Sequence, residues 1–217
     1  SYDLENSKKV NKYYRVTKTT NGTTTTEISE EEATNATKNT ATRGATYTTT
    51  YKNIQISSVN IGEKNKYSLE LSTVWLKSPY IKSYDVIAMR TDDATILEGT
   101  QAGTQAYIYS NGSVGYVHYS NNGTNMVKAS NGFGISMNLV DAANTYECDI
   151  EAIVTATTEW ATVYGSYQHA ATNVTLAQSK SYTISHNGYG EVINFATAVQ
   201  NDYDGMQGVS IALDYTA

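Results

Sequence analysis

Residues 67–75, Tyr67-Ser68-Leu69-Glu70-Leu71-Ser72-Thr73-Val74-Trp75, set Tyr67, Leu69, Leu71, Thr73 and Trp75 at every second position. Ser68, Glu70, Ser72 and Val74 fall between them. Successive side chains of a β-strand point to opposite faces, so this alternation predicts a strand with one face toward a core and the other toward water. Similar runs occupy 85–89, 134–140, 146–158, 160–167, 182–185 and 208–215. Asn-Gly dipeptides begin at Asn21, Asn111, Asn122, Asn131 and Asn187, and with Asp204-Gly205 they punctuate the chain as turns. The pattern predicts roughly eleven to thirteen short antiparallel strands in two packed sheets, an all-β sandwich or jelly roll. Pro79 lies between two runs, where a missing amide donor does least harm. Val192, Phe195, Ala196, Val199 and Tyr203 carry a competing helical spacing that ends at Gly205, and this segment stays open between strand and helix.

Composition points the same way. The chain holds 19 Tyr and 31 Thr in 217 residues, and aromatic and β-branched side chains suit a pleated, half-buried surface. That length fits one large β domain, or one domain carrying an arm. The formal charge of −6 provides no basic stripe, so nucleic acid is not expected as a partner. No run approaches the ~20 apolar residues of a membrane-spanning helix, and a membrane partner is not expected. Cys148 is the single cysteine, which excludes an intrachain disulfide and leaves the core to hold the fold. A first residue of Ser1 and the overall composition fit an exported chain, secreted or on the cell surface. Asn-x-Ser/Thr triplets begin at Asn21, Asn35, Asn111, Asn122 and Asn173, and a chain this rich in Asn and Thr produces them by chance.

Residues 1–45 read as a Thr-rich extended arm or hairpin and 46–217 as the sandwich. Asn21-Gly22, set as a two-residue turn, pairs Val16 with Glu27 and Lys18 with Thr25. The arm is poor in apolar side chains, so it must borrow a surface from its own body or from a neighbouring molecule, with Tyr14, Val16 and Ile28 as its contact residues. Ser29-Glu30-Glu31-Glu32 matches a capping box and predicts a short helical turn or an acidic loop.

Three segments carry candidate chemistry. A two-residue turn at Asn111-Gly112 pairs Tyr107 with Tyr116 and Tyr109 with Val114, gathering Tyr107, Tyr109, Tyr116 and His118 on one face. Such a face serves either as a stacking platform for sugar rings or as ordinary buried sheet surface. Glu147, Asp149 and Glu151 share one face of a strand; they offer acid chemistry or calcium ligation, or form a solvated row countered by lysines. Asp202 and Asp204 resemble the middle of a calcium loop, but Gln200 and Ile211 occupy positions where that loop needs acids. Cys148 falls on the apolar face of its strand and is expected to be an inert thiol. His118, His169 and His186 have no metal-ligand spacing. No phosphate loop, dinucleotide fingerprint or nucleophile elbow occurs. No cofactor and no enzymatic activity are therefore expected.

These residues support a non-enzymatic secreted or surface protein that self-assembles, its arm adding a strand to a neighbour. The alternative is a carbohydrate-binding or adhesive module using Tyr107, Tyr109 and Tyr116, with Trp75 or Trp160 contributing. A β-pore-forming protein comes third, because threonine on both faces of the first hairpin fits a lipid-facing strand poorly.

Overall fold

The computed structural model describes residues 7–36, 47–186 and 190–217, with the backbone alone at 47–50. The predicted turn at Asn187 lies outside these residues. Two antiparallel sheets pack face to face as a sandwich. The larger holds β1 (Lys8–Thr19), β2 (Gly22–Ile28), β3 (Tyr47–Asn60), β4 (Lys66–Trp75), β7 (Ala102–Ile108), β8 (Val114–Tyr119) and β11 (Thr145–Ala156) in the order β2-β1-β3-β4-β11-β7-β8, with β6 (Ala94–Ile96) also on β11. The second sheet runs β15-β12-β5-β10-β9 and is made of β5 (Tyr84–Asp92), β9 (Met126–Ala129), β10 (Gly132–Asn138), β12 (Thr162–Gln168) and β15 (Gly208–Ala212). A ribbon of β13 (Tyr182–Ile184) and β14 (Ile193–Phe195) lies over its outer face. Strands number fifteen among the described residues, more than expected because three of them are only three residues long.

The alternation of 67–75 decides where the core sits. Leu69, Leu71 and Trp75 of β4 meet Ile54 and Ile56 of β3, and across the interlayer they meet Ile87, Met89, Ile135 and Val163. Fully burying each such side chain contributes about 1.5–3 kcal/mol. β5 is buried on both faces: Ile87 and Met89 face the sandwich core, while Val86 and Ala88 face Tyr182, Ile184 and Tyr203 of the outer layer. The segment with mixed spacing resolves into β14 followed by a 3-10 turn at Gln200–Asp202.

The first hairpin belongs to the large sheet. β1 pairs with β3 from Lys8↔Ser58 to Lys18↔Tyr47, with a register shift after Val16. Its two faces are used differently. Tyr14 and Val16 point inward, and the Tyr14 hydroxyl donates to the Gly208 carbonyl at the start of β15. Ile28 points outward under a short helix, α1 (Glu30–Ala36), whose Ala33 packs on it with Tyr51. The Ser29 hydroxyl accepts from the Glu32 amide at 3.1 Å, as the capping pattern anticipated.

The predicted register of this hairpin is corrected. Val16 opposes Thr25 and Lys18 opposes Thr23, because the chain turns through Thr20-Asn21 and Gly22, at φ 127°, already belongs to the return strand. Each partner moves by two residues, so the same side chains still share a face.

Gly165 of β12 marks a close approach of the two layers, since a Cβ there would lie 2.5 Å from a Leu71 methyl group. Gly165→Val is expected to cost about 1–3 kcal/mol through overpacking. In urea unfolding, Leu71→Ala added to that variant should cost less than the sum of the two single changes. Strict additivity would show that the two positions are not in contact.

Candidate functional site

Charged side chains enter the core at one end of the sandwich. Lys52 shares the inward face of β3 with Ile54 and Ile56, is paired in register with Trp75 of β4, and is 0% exposed. From the opposite layer come Asp85 at the start of β5, Tyr167 near the end of β12, and His169 just beyond it. Asp204 arrives from the loop between the 3-10 turn and β15. The Lys52 Nζ lies 3.3 Å from Asp204 Oδ2, and both side chains are almost wholly excluded from water. The Nζ also sits 5.0 Å from the ring centres of Trp75 and Tyr167. Asp204 Oδ1 accepts the His169 backbone N–H at 2.9 Å.

Beside this pair, the Asp85 carboxylate is fully occupied. It accepts from the Tyr167 hydroxyl at 2.5 Å, from the Ala170 N–H at 2.8 Å and from the His169 ring, whose Nδ1 lies 2.8 Å away. Trp75 Nε1–H in turn donates to the Tyr167 oxygen at 3.2 Å. Burial, and then the charge of Asp85, holds the Tyr167 phenol well above its ordinary range, so it stays a donor. Burial likewise pushes the Cys148 thiol up, and its Sγ lies 3.8 Å from the Tyr167 oxygen. The arrangement is closed to solvent, and its chemistry is that of one amine held against one carboxyl group between aromatic walls.

Sequence reasoning missed this cluster, although its signal was present. Lys52 and Asp85 stand at inward positions of alternating runs, Lys52 in step with Ile54 and Ile56, Asp85 in step with Ile87 and Met89. A charged residue on the apolar phase of a strand needs a buried partner. Asp204, read as a weak calcium-loop candidate, is corrected: its oxygens are committed to Lys52 and to the His169 amide. Asp202 lies in the 3-10 turn. Among the described residues, no group of three or more His, Cys, Asp or Glu is placed to hold a metal ion.

The expected tyrosine platform does not assemble. Tyr109 and Ser113 close a three-residue loop, with Gly112 at φ 86° donating its N–H to the Tyr109 carbonyl. A three-residue loop of this kind takes glycine in the left-handed region at its last position. The register therefore slips by one from the expected two-residue turn, pairing Tyr107 with Gly115 and Ala106 with Tyr116. A one-residue slip moves side chains to the opposite face. Tyr107 lies over Gly115 and meets Tyr109 edge-on at 5.7 Å. Tyr116 and His118 are on the other face, stacked at 6.1 Å, with Tyr116 60% exposed. Trp75 is buried, whereas Trp160 is exposed.

The acidic row keeps its predicted face, but its neighbour is acidic as well. Glu151 stands directly opposite Glu70, and Asp149 opposite Ser72 on one side and Thr104 on the other. The Ser72 hydroxyl donates to Glu147 at 3.1 Å. Burial raises the Asp149 carboxyl to about 7; the Ser72 hydroxyl opposes the rise, and the charges of Glu147, Glu70 and Glu151 add to it. Glu70 is raised by burial, then by Glu151 and Glu147, against the pull of Lys9.

An open groove of about 620 Å³ runs past the tip of the first hairpin, lined by Asn21, Gln168, Asn194, Phe195 and Gln200 among others. This polar, amide-rich groove lies next to Asp204.

No protein-family model matches the chain, and no curated protein matches it. Among solved structures, the chain is similar to ACE19, the collagen binding subdomain of Enterococcus faecalis surface protein ACE, at 12% identity over 70% of this chain and 91% of that one, with a TM-score of 0.38. A structure titled for pH-induced modulation of Streptococcus parasanguinis adhesion by Fap1 fimbriae matches at 12% identity over 96% of each chain, TM-score 0.35. A structure titled pore forming protein matches at 7% identity over 97% of this chain and 93% of that one, TM-score 0.29. At such scores no residue role passes from these proteins to this chain.

The raised Asp149 carboxyl has a signed consequence. Its folded pKa lies above the unfolded value of about 3.9, so stability falls as pH rises from about 4 to 7 and the loss is complete above that. Asp149→Asn is expected to exceed the wild type in stability at pH 8 by on the order of 1–2 kcal/mol, after discounting for partial exposure. Urea midpoints at pH 4 and pH 8 check this. An offset of the same size at both would assign the effect to something other than ionisation.

Proposed function

We propose that this chain is a non-enzymatic structural or adhesive domain of a secreted or cell-surface protein, and that copies associate through an open edge of the large sheet. The observation that carries this reading is the edge strand β2. Among the described residues it is the terminal strand of its sheet, paired on one side with β1 alone. Thr23, Thr24, Thr25 and Thr26 run along it without proline or lysine. Edge strands in monomeric proteins are blunted by charge, proline or a bulge, because unpaired backbone groups recruit another strand. β2 has little of that protection. β1 is spent within its own chain on β3, so the contact offered to a neighbour is the outer edge of β2 rather than Tyr14 or Val16, which are buried.

Association should appear in sedimentation velocity as a concentration-dependent rise in mass. Thr24→Lys, at an exposed position of that edge, is expected to shift the population toward monomer with the fold unchanged by circular dichroism. A wild type that stays monomeric across the accessible concentration range would end this reading.

Carbohydrate binding is the second reading, and the groove beside the first hairpin favours it more than the dispersed tyrosines do. Side-chain amides that hydrogen-bond hydroxyl groups, set beside an aromatic ring, suit a sugar. A soluble oligosaccharide library titrated against the whole chain is expected to shift the side-chain amide resonances of Asn21, Asn194 and Gln200. Shifts confined to the neighbourhood of Tyr116 and His118 would place any binding on the opposite sheet edge instead.

A further inference from the structure

We propose that Lys52 and Asp204 condense to an intramolecular amide, a covalent cross-link between β3 and the loop leading into β15. Hydrogen bonding at the site supports this first. A lysine ammonium carries three donors, yet the fully buried Lys52 Nζ has one hydrogen-bond partner among the described residues, Asp204 Oδ2 at 3.3 Å, and otherwise faces the rings of Trp75 and Tyr167. Two charges withdrawn from water with so few compensating bonds are poorly stabilised as an ion pair. An amide at the same place is neutral, needs one donor partner for its carbonyl, and leaves a single N–H against an aromatic face.

The geometry also supplies the parts of the reaction. A proton passes from the Lys52 ammonium to Asp204 Oδ2 along the existing contact, giving a neutral amine and a carboxylic acid. The Nζ lone pair attacks Asp204 Cγ, and the Nζ–Cγ bond forms. Oδ1 takes up the developing negative charge, held by the His169 backbone N–H already 2.9 Å away. The Cγ–Oδ2 bond then breaks; Oδ2 leaves with its proton and a second proton from Nζ as one water molecule, and Oδ1 becomes the amide carbonyl. Nothing is oxidised or reduced, and no co-reactant is consumed. Holding the two groups in contact replaces a second-order encounter by an effective concentration on the order of 10⁵–10⁸ M. The aromatic walls exclude bulk water from the reverse hydrolysis. Asp85 acts through others here: it fixes the Tyr167 ring and His169, which form one wall and carry the oxyanion donor.

The residues joined are 152 positions apart. The bond would tie the third strand of the chain to the segment preceding its last strand, so a pull on one sheet is carried covalently to the other.

The test is intact mass of the purified whole chain under denaturing conditions, followed by proteolysis and fragment sequencing. The expected result is a mass lower than the sequence requires by one water, and a branched fragment holding the Lys52 and Asp204 peptides together. Lys52→Arg is expected to show the full mass. A full-mass wild type with the two peptides always separate would overturn the proposal. So would a water loss confined to a linear Asp204-Gly205 peptide and retained in Lys52→Arg, since that is a backbone succinimide.

Discussion

An ammonium group and a carboxylate taken out of water must find each other or be neutralised, and the end of the sandwich that holds Lys52 is organised by that constraint. Lys52 projects from one layer and Asp204 reaches it from the loop before the edge strand of the other. Trp75 and Tyr167 close over the pair, and Asp85 holds Tyr167 and His169 in place. Lys52, Trp75, Asp85 and Tyr167 each occupy a position that an aliphatic residue fills further along the same strand. The polar junction therefore fixes how the sheets meet, because sliding one layer would leave several buried polar groups without partners.

The outer face of the large sheet obeys a weaker rule. Glu70, Glu147, Asp149 and Glu151 stand close together across β4 and β11, where water and hydroxyl groups screen what would be untenable inside. Asp149, partly covered, shows how quickly the cost grows with burial. Among the described residues, the same sheet ends at β2 in a row of threonines.

Period-two patterning was legible from the sequence wherever one face is oily: β4, β10 and β11 run where the alternation put them, and Cys148 is on the buried face of its strand. Register was harder to read. The Asn-Gly pairs at Asn21 and Asn111 announced turns, but not which residues each turn holds: the first is a two-residue turn set one position earlier, and the loop closed by Tyr109 and Ser113 is one residue longer than the commonest hairpin. That single residue separates Tyr107 and Tyr109 from Tyr116 and His118.

The sequence by itself determined that this is an all-β chain of two packed layers, because alternation, aromatic and β-branched content, and turn dipeptides are local properties of consecutive residues. Lys52 and Asp85 stand on the inward phase of their runs, a signal that the sequence reading passed over. Only the tertiary structure decided their partners. Asp204 is far from Lys52 along the chain, and their meeting depends on which strands are neighbours and how the layers stack, quantities set by the packing of the whole core rather than by any local run.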